Sequence, residues 1–143
     1  KWWNNILKEA WSDEPCGGGL WWAGNPLRYK NAITNSLFIR LSARLHMLTA
    51  NATYLDWAQR TWAWFEQSEM IGLDGMVLDG LNPKCAPMGN TYTYNQGSLV
   101  GALAALYEAE GRHNITLLDT AWNVASAQID LSSILSEFGE ETG

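Results

Sequence analysis

"NATYLDWA", residues 51 to 58, and "NITLLDTA", residues 114 to 121, share the pattern Asn-x-Thr-x-Leu-Asp-x-Ala, 63 residues apart. Each copy follows an apolar helical stretch and opens another. Thr53 with Asp56, and Thr116 with Asp119, have the spacing of a helix N-cap and its reciprocal acid. The repeated unit is therefore a helical hairpin. One hairpin cannot bury its apolar faces alone, so repeated hairpins point to a solenoid or a closed toroid.

Outward from the repeat, the same rhythm persists. Trp2, Trp3, Ile6, Leu7, Ala10 and Trp11 recur at helical spacing, as do Ile33, Leu37, Phe38, Leu41, Leu45 and Leu48. Further helices are predicted over Tyr54 to Phe65, Leu99 to Tyr107 and Leu117 to Ile129, and Thr93-x-x-Gln96 has capping-box spacing ahead of the fourth. No alternating apolar and polar run is long enough for a major strand, although "MVLDGL", residues 76 to 81, can pair locally. The fold class is all-α, built of antiparallel helical hairpins.

Antiparallel helices send alternate connections to opposite ends. Residues 12–28 and 68–92 are long connections, whereas 50–52 and 111–115 are short. Both long loops are thus expected at one end, and function is usually carried on long loops over a rigid scaffold. The Asn51-Ala52-Thr53 and Asn114-Ile115-Thr116 sequons, which fit the N-glycosylation acceptor pattern, fall at the other end. Cys16 and Cys85 sit on the two long loops. A disulfide between them closes a loop of about 70 residues and contributes roughly 4 kcal/mol in the chain-entropy model; two buried free thiols are the alternative reading.

The chain has 143 residues, 47% of them hydrophobic, and nine tryptophans, enough to bury one core. Its formal charge is −6 and its nine basic residues form no block, which argues against a nucleic-acid partner. The longest uncharged apolar-rich run, Tyr92 to Tyr107, has Thr, Asn, Gln and Ser at its start and falls short of the ~20 apolar residues of a membrane span. His46 and His113 fall toward the short-turn end and gather no further ligand-type residues, so neither a metal site nor a cofactor is expected. The opening "KWWNNILKEAW" is already helical, with no Met and no capping residue ahead of it, and reads as cut from something longer.

"CGGGLWW" (16–22), "YKNAITNSLF" (29–38), "DWAQRTWAWF" (56–65), "LDGL" (78–81) and "TYTYNQGSLVGALAALY" (91–107) together resemble glycoside hydrolase family 76 in its fungal branch. The resemblance implies an (α/α)6 barrel and endo-acting hydrolysis of α-1,6-mannan. For some fungal members it also implies a role in attaching glycoproteins to the cell wall through their anchor glycans. The expected partner is an α-mannan oligosaccharide or polysaccharide, and the expected location is secreted or cell-wall associated. The family's catalytic pair is two adjacent aspartates ahead of its Cys-Gly-Gly-Gly motif, and no Asp-Asp occurs in these residues. Asp13-Glu14 lies directly before Cys16, too close to match that pair. Residues 1–143 then read as a single partial family 76 catalytic domain, truncated at both ends, with "ILSEFGEETG" (134–143) resembling the start of further barrel helices.

The candidate substrate-binding residues cluster at the long-loop end. Trp22 either stacks on a pyranose face or belongs to the core. Lys30 and Asn31 open the second helix, where a charged donor and an amide can hold sugar hydroxyls. Asn35, one turn on, needs a partner if buried. Asp79 is either a turn residue or a hydroxyl acceptor, and Tyr94, Asn95 and Gln96 begin the fourth helix on the same loop end. Consecutive glycines at 17–19 let the backbone come close to a sugar or to a neighbouring helix. Two functions follow: part of a secreted α-1,6-mannanase-like hydrolase, inactive without the missing pair, or a non-catalytic carbohydrate-binding or cell-wall scaffold protein of the same fold.

Overall fold

The computed structural model describes residues 2–23 and 29–132, and the segment 134–143 expected to lead into further helices lies outside them. Among the described residues five helices run in chain order: α1 Trp2–Ala10, α2 Ala32–Thr49, α3 Ala52–Gln67, α4 Thr93–Ala109 and α5 Ile115–Ser132. A two-residue ribbon, β1 Gly80–Leu81 antiparallel to β2 Pro87–Met88, stands between α3 and α4. The described chain is mostly helical, as the periodicity predicts.

Helix α2 packs against both α3 and α4, and α4 packs in turn against α5. The core lies between them, with Ile39 and Ala43 of α2, Phe65 of α3, Leu99, Leu103 and Leu106 of α4, and Leu117 and Val124 of α5 all buried. Helix α4 is apolar almost all round, the pattern of a helix enclosed by others. A second cluster docks α1: Trp3 meets Tyr54 edge to face with centroids 4.9 Å apart, stacks beside Phe38, and donates its indole N–H to Ser42 Oγ at 3.2 Å.

The caps differ from the expected ones. Asn51, not Thr53, caps α3, its side chain accepting from the Thr53 backbone N–H at 3.0 Å. Helix α5 likewise begins directly after Asn114, whose Oδ1 accepts from Thr116 Oγ1 at 2.6 Å. Asparagine is as good a cap as threonine, and here it reaches the first turn from two positions earlier. Thr93 is already inside α4, Tyr92 holds the cap position without a side-chain bond, and Gln96 is used elsewhere. Ala50 ends α2 in the left-handed region at φ 53°, its N–H returning to His46 O, which makes the turn into α3 tight.

Short backbone pairings fold the first long connection on itself, Trp11 with Leu20 and Trp21 with Lys30, and Asn31 with Gly80 joins its end to the second. The disulfide joins Cys16 to Cys85 with 5.3 Å between their Cα atoms. Both long loops therefore share one end of the helices, as the connection lengths require, and the free-thiol reading falls.

Candidate functional site

The glycine-rich stretch passes over a tryptophan. A β-carbon on Gly18 would lie 2.8 Å from the Trp64 ring, and one on Gly19 only 2.5 Å from it. Trp64 also donates its indole N–H to Cys16 O at 2.8 Å. Of the two reasons for bare backbone, close approach to a neighbouring helix is thus met at Gly18 and Gly19. Trp64 itself lies within the quoted "DWAQRTWAWF" but was not singled out, because it reads there as one more apolar residue on α3.

Two buried amides then hold the loops as short strands would. Asn35 Oδ1 accepts from Leu20 N–H at 2.8 Å, while its Nδ2 donates to Leu20 O and Asn31 O. Gln96 does the same to Val77, accepting from its N–H and donating to its carbonyl, both at 2.8 Å. Lys30, 1% exposed, sends its ammonium to the carbonyls of Ser12 and Pro15 and over the Trp21 ring at 4.9 Å. Burial lowers its pKa to about 8, against the opposing pull of Asp13 and Glu14. The polar atoms of these three residues point at backbone.

Asn31 caps α2, accepting from Thr34 N–H at 3.1 Å, and its Nδ2 faces Tyr29 Oη at 3.5 Å. Tyr29 leads to the centre of the group. Its hydroxyl donates to Asp79 Oδ2 at 3.0 Å, while Asn95 Nδ2 at 3.1 Å and the Tyr94 hydroxyl at 3.4 Å donate to Asp79 Oδ1. Asp79 is positioned from below by its own carbonyl, which accepts from Ala32 N–H, and by Gly89, where any β-carbon would strike that of Asp79 at 2.7 Å. Asn95 Oδ1 is buried without a donor among the described residues. The pKa of Tyr29 is raised, chiefly by burial and further by Asp79, with the Asn31 contact opposing; that of Tyr94 is raised by desolvation and then by Asp79.

A cavity of about 380 Å3 opens beside this network, walled by Trp21, Trp22, Tyr29, Lys30, Leu81 and Met88 among others. Trp22 is 50% exposed, its ring 5.4 Å from that of Tyr29. Tyr92 and Tyr94, both exposed, stack on each other at 5.1 Å. Tyr29, Trp64 and Met88 are the residues that sequence reasoning did not single out; Tyr29 stood inside the quoted "YKNAITNSLF".

Asp13, close to the same loops in sequence, is occupied otherwise. Asp13 pairs with Arg60 at 2.9 Å and accepts from Trp11 Nε1 at 3.0 Å, while Arg60 lies between the rings of Trp11 and Trp57. The site therefore presents one half-buried carboxylate, amide and phenol donors and an open indole. That set can hold hydroxyls and an apolar ring face. Among the described residues no group of His, Cys, Asp or Glu is arranged to bind a metal.

Comparison with known proteins yields the same picture from three directions. The model of Glycosyl hydrolase family 76 matches residues 1–138. The chain is 34% identical over 116 residues to Mannan endo-1,6-alpha-mannosidase DCW1 of Candida glabrata, covering 75% of this chain and 26% of that protein. Among solved structures, the Lin0763 protein of Listeria innocua superposes with a TM-score of 0.77 at 33% identity, over 94% of this chain and 38% of that one. An alpha-1,6-mannanase of Salegentibacter, in an inactive variant with two consecutive aspartates changed to asparagine and bound to alpha-1,6-mannotriose, superposes with a TM-score of 0.74 at 27% identity, over 99% of this chain and 40% of that one. The chain spans about a quarter of the curated relatives it matches. With residues 1–138 of its 143 matched by the family's model, this chain belongs to glycosyl hydrolase family 76.

Proposed function

We propose that the chain forms one wall of the carbohydrate cleft of a secreted or cell-wall-associated hydrolase acting on α-1,6-mannan, and that the carboxylates cleaving the bond come from sequence outside these residues. The observation that carries this reading is the Asp79 carboxylate, fixed by three donors, one of them the hydroxyl of Tyr29, whose ring lies 5.4 Å from the exposed Trp22 indole. A carboxylate offers about four acceptor positions. Three are used, so a sugar hydroxyl can still donate to Oδ2. Trp22 supplies a face against which the C–H side of a pyranose can lie, and Tyr94 and Asn95 flank the bound hydroxyls. Asn31, Asn35, Lys30 and Gln96 act by holding the loops in place.

Cleavage of a glycosidic bond needs a second carboxyl group, one to protonate the leaving oxygen and one to attack or to activate water, about 5–9.5 Å apart. The groups that hold Asp79 are two phenols and an amide, not a second carboxyl group, and Asp13 is engaged with Arg60. The inactivity of the Salegentibacter variant with two consecutive aspartates replaced supports assigning chemistry to an Asp-Asp pair, and this chain contains none. The five helices then form an arc of an (α/α)6 barrel. The disulfide supports an oxidising compartment.

Binding tests the wall directly. Titration of the chain with α-1,6-mannotriose, followed by tryptophan fluorescence and calorimetry, should show saturable binding. Asp79→Ala should weaken it roughly 10- to 100-fold, the effect of losing a charge-assisted hydrogen bond of about 1.5–3 kcal/mol. Equal binding by Asp79→Ala and Trp22→Ala would overturn the assignment.

A further inference from the structure

The end of the bundle opposite the cleft carries the repeat's two asparagines, which the carbohydrate site does not use. We propose that Asn51 and Asn114 both carry N-linked glycans. Asn51, Thr53, Asn114 and Thr116 are all exposed. In each copy the bonded atom of the asparagine is Oδ1, which takes the Thr53 backbone N–H in one case and the Thr116 hydroxyl in the other. Glycan transfer uses the other atom. Nδ2 loses a proton and bonds to the anomeric carbon of an oligosaccharide, whose lipid-diphosphate carrier departs. The modified asparagine keeps Oδ1, so the cap on α3 survives glycosylation.

Position supports the same conclusion. Helix α2 has 18 residues, and at ~1.5 Å of rise per residue its ends stand roughly 27 Å apart, so a glycan at Asn51 begins well away from Asp79. Leu48, 82% exposed, and Ile115, 56% exposed, lie at that same end, three residues before one acceptor and directly after the other. Glycans there would screen apolar surface that no described residue covers. The Cys16–Cys85 disulfide is consistent with the oxidising compartment in which such transfer takes place. The proposal is independent of mannan binding.

The test is glycopeptide mass spectrometry on the protein isolated from the cells that make it, with amidase release of glycans in heavy-oxygen water. Both Asn51 and Asn114 should emerge as labelled aspartate. Thr53→Ala, introduced in those cells, should remove the first glycan while leaving the α3 cap in place, because the cap uses the backbone N–H of residue 53. Thr116→Ala should remove the second. Unlabelled asparagine at either position would overturn the proposal for that position, and unlabelled asparagine at both would overturn it altogether.

Discussion

At Gly19 a single methyl group meets an indole. The backbone there has φ +93°, and the added β-carbon would stand 2.5 Å from Trp64, whose own N–H is fixed on Cys16 O. Gly19→Ala should therefore destabilise the protein by roughly 2–4 kcal/mol, overpacking adding ~1–3 to about 1 for the left-handed backbone. Denaturant unfolding would measure it, and pairing Gly19→Ala with Trp64→Leu should recover part of the loss. A change below about 0.5 kcal/mol would mean that the loop yields freely. The glycines announced a close approach in the sequence. What they approach was not legible, since Trp64 lies 45 residues on and shares the spacing of its apolar neighbours. The cap positions are ambiguous in the sequence for a local reason: threonine and asparagine both cap, and only backbone geometry separates them.

Between elements, polar side chains do the positioning. Asn35 was legible as an amide needing a partner, because an otherwise apolar helix face leaves it no water. Its partner, Leu20, was not, because nothing local in sequence relates a loop residue to an amide 15 positions on. Gln96 illustrates the opposite error, a capping pattern that is in fact a clamp on Val77. Lys30 belongs to this scale too, tying the stretch after α1 to the start of α2. Its folded pKa of about 8 lies below the ordinary 10.5, so between these values the unfolded chain holds a proton that the folded chain has shed. Stability from this group accordingly rises as pH climbs from about 8 toward 10.5. Tyr29 and Tyr94 have the reverse sign, their raised values lowering stability once pH passes 10. Urea midpoints measured from pH 8 to 10 should rise in the native sequence and flatten in Lys30→Met; identical slopes would contradict the burial of the ammonium.

Across the whole molecule, two surfaces have different meanings. The loop end is ordered by a disulfide, two amide clamps and a buried lysine, and it displays Trp22 and Asp79. The helix flanks instead expose Leu37, Leu41 and Trp122, the last at 72%. In a closed (α/α)6 barrel such faces meet neighbouring helices, in keeping with a chain that spans 38% of one solved relative and 40% of another. The hairpin architecture was legible in the repeat and in the alternation of long and short connections. The family was legible in five ordered motifs. The wall of the site was legible only as a neighbourhood, because Tyr29 gains its role from a hydrogen bond to a residue 50 positions away. Under the proposed function these residues bind mannan but lack the groups that cut it. The direct measurement is release of shorter products from α-1,6-linked mannooligosaccharides by the 143-residue chain and by a longer protein that contains it together with an upstream Asp-Asp. The longer protein should hydrolyse the substrate, with the chain alone slower by at least ~10² to 10⁴-fold, the share of a positioned acid. Comparable turnover by the chain, abolished in Asp79→Asn or Asp13→Asn, would contradict the account.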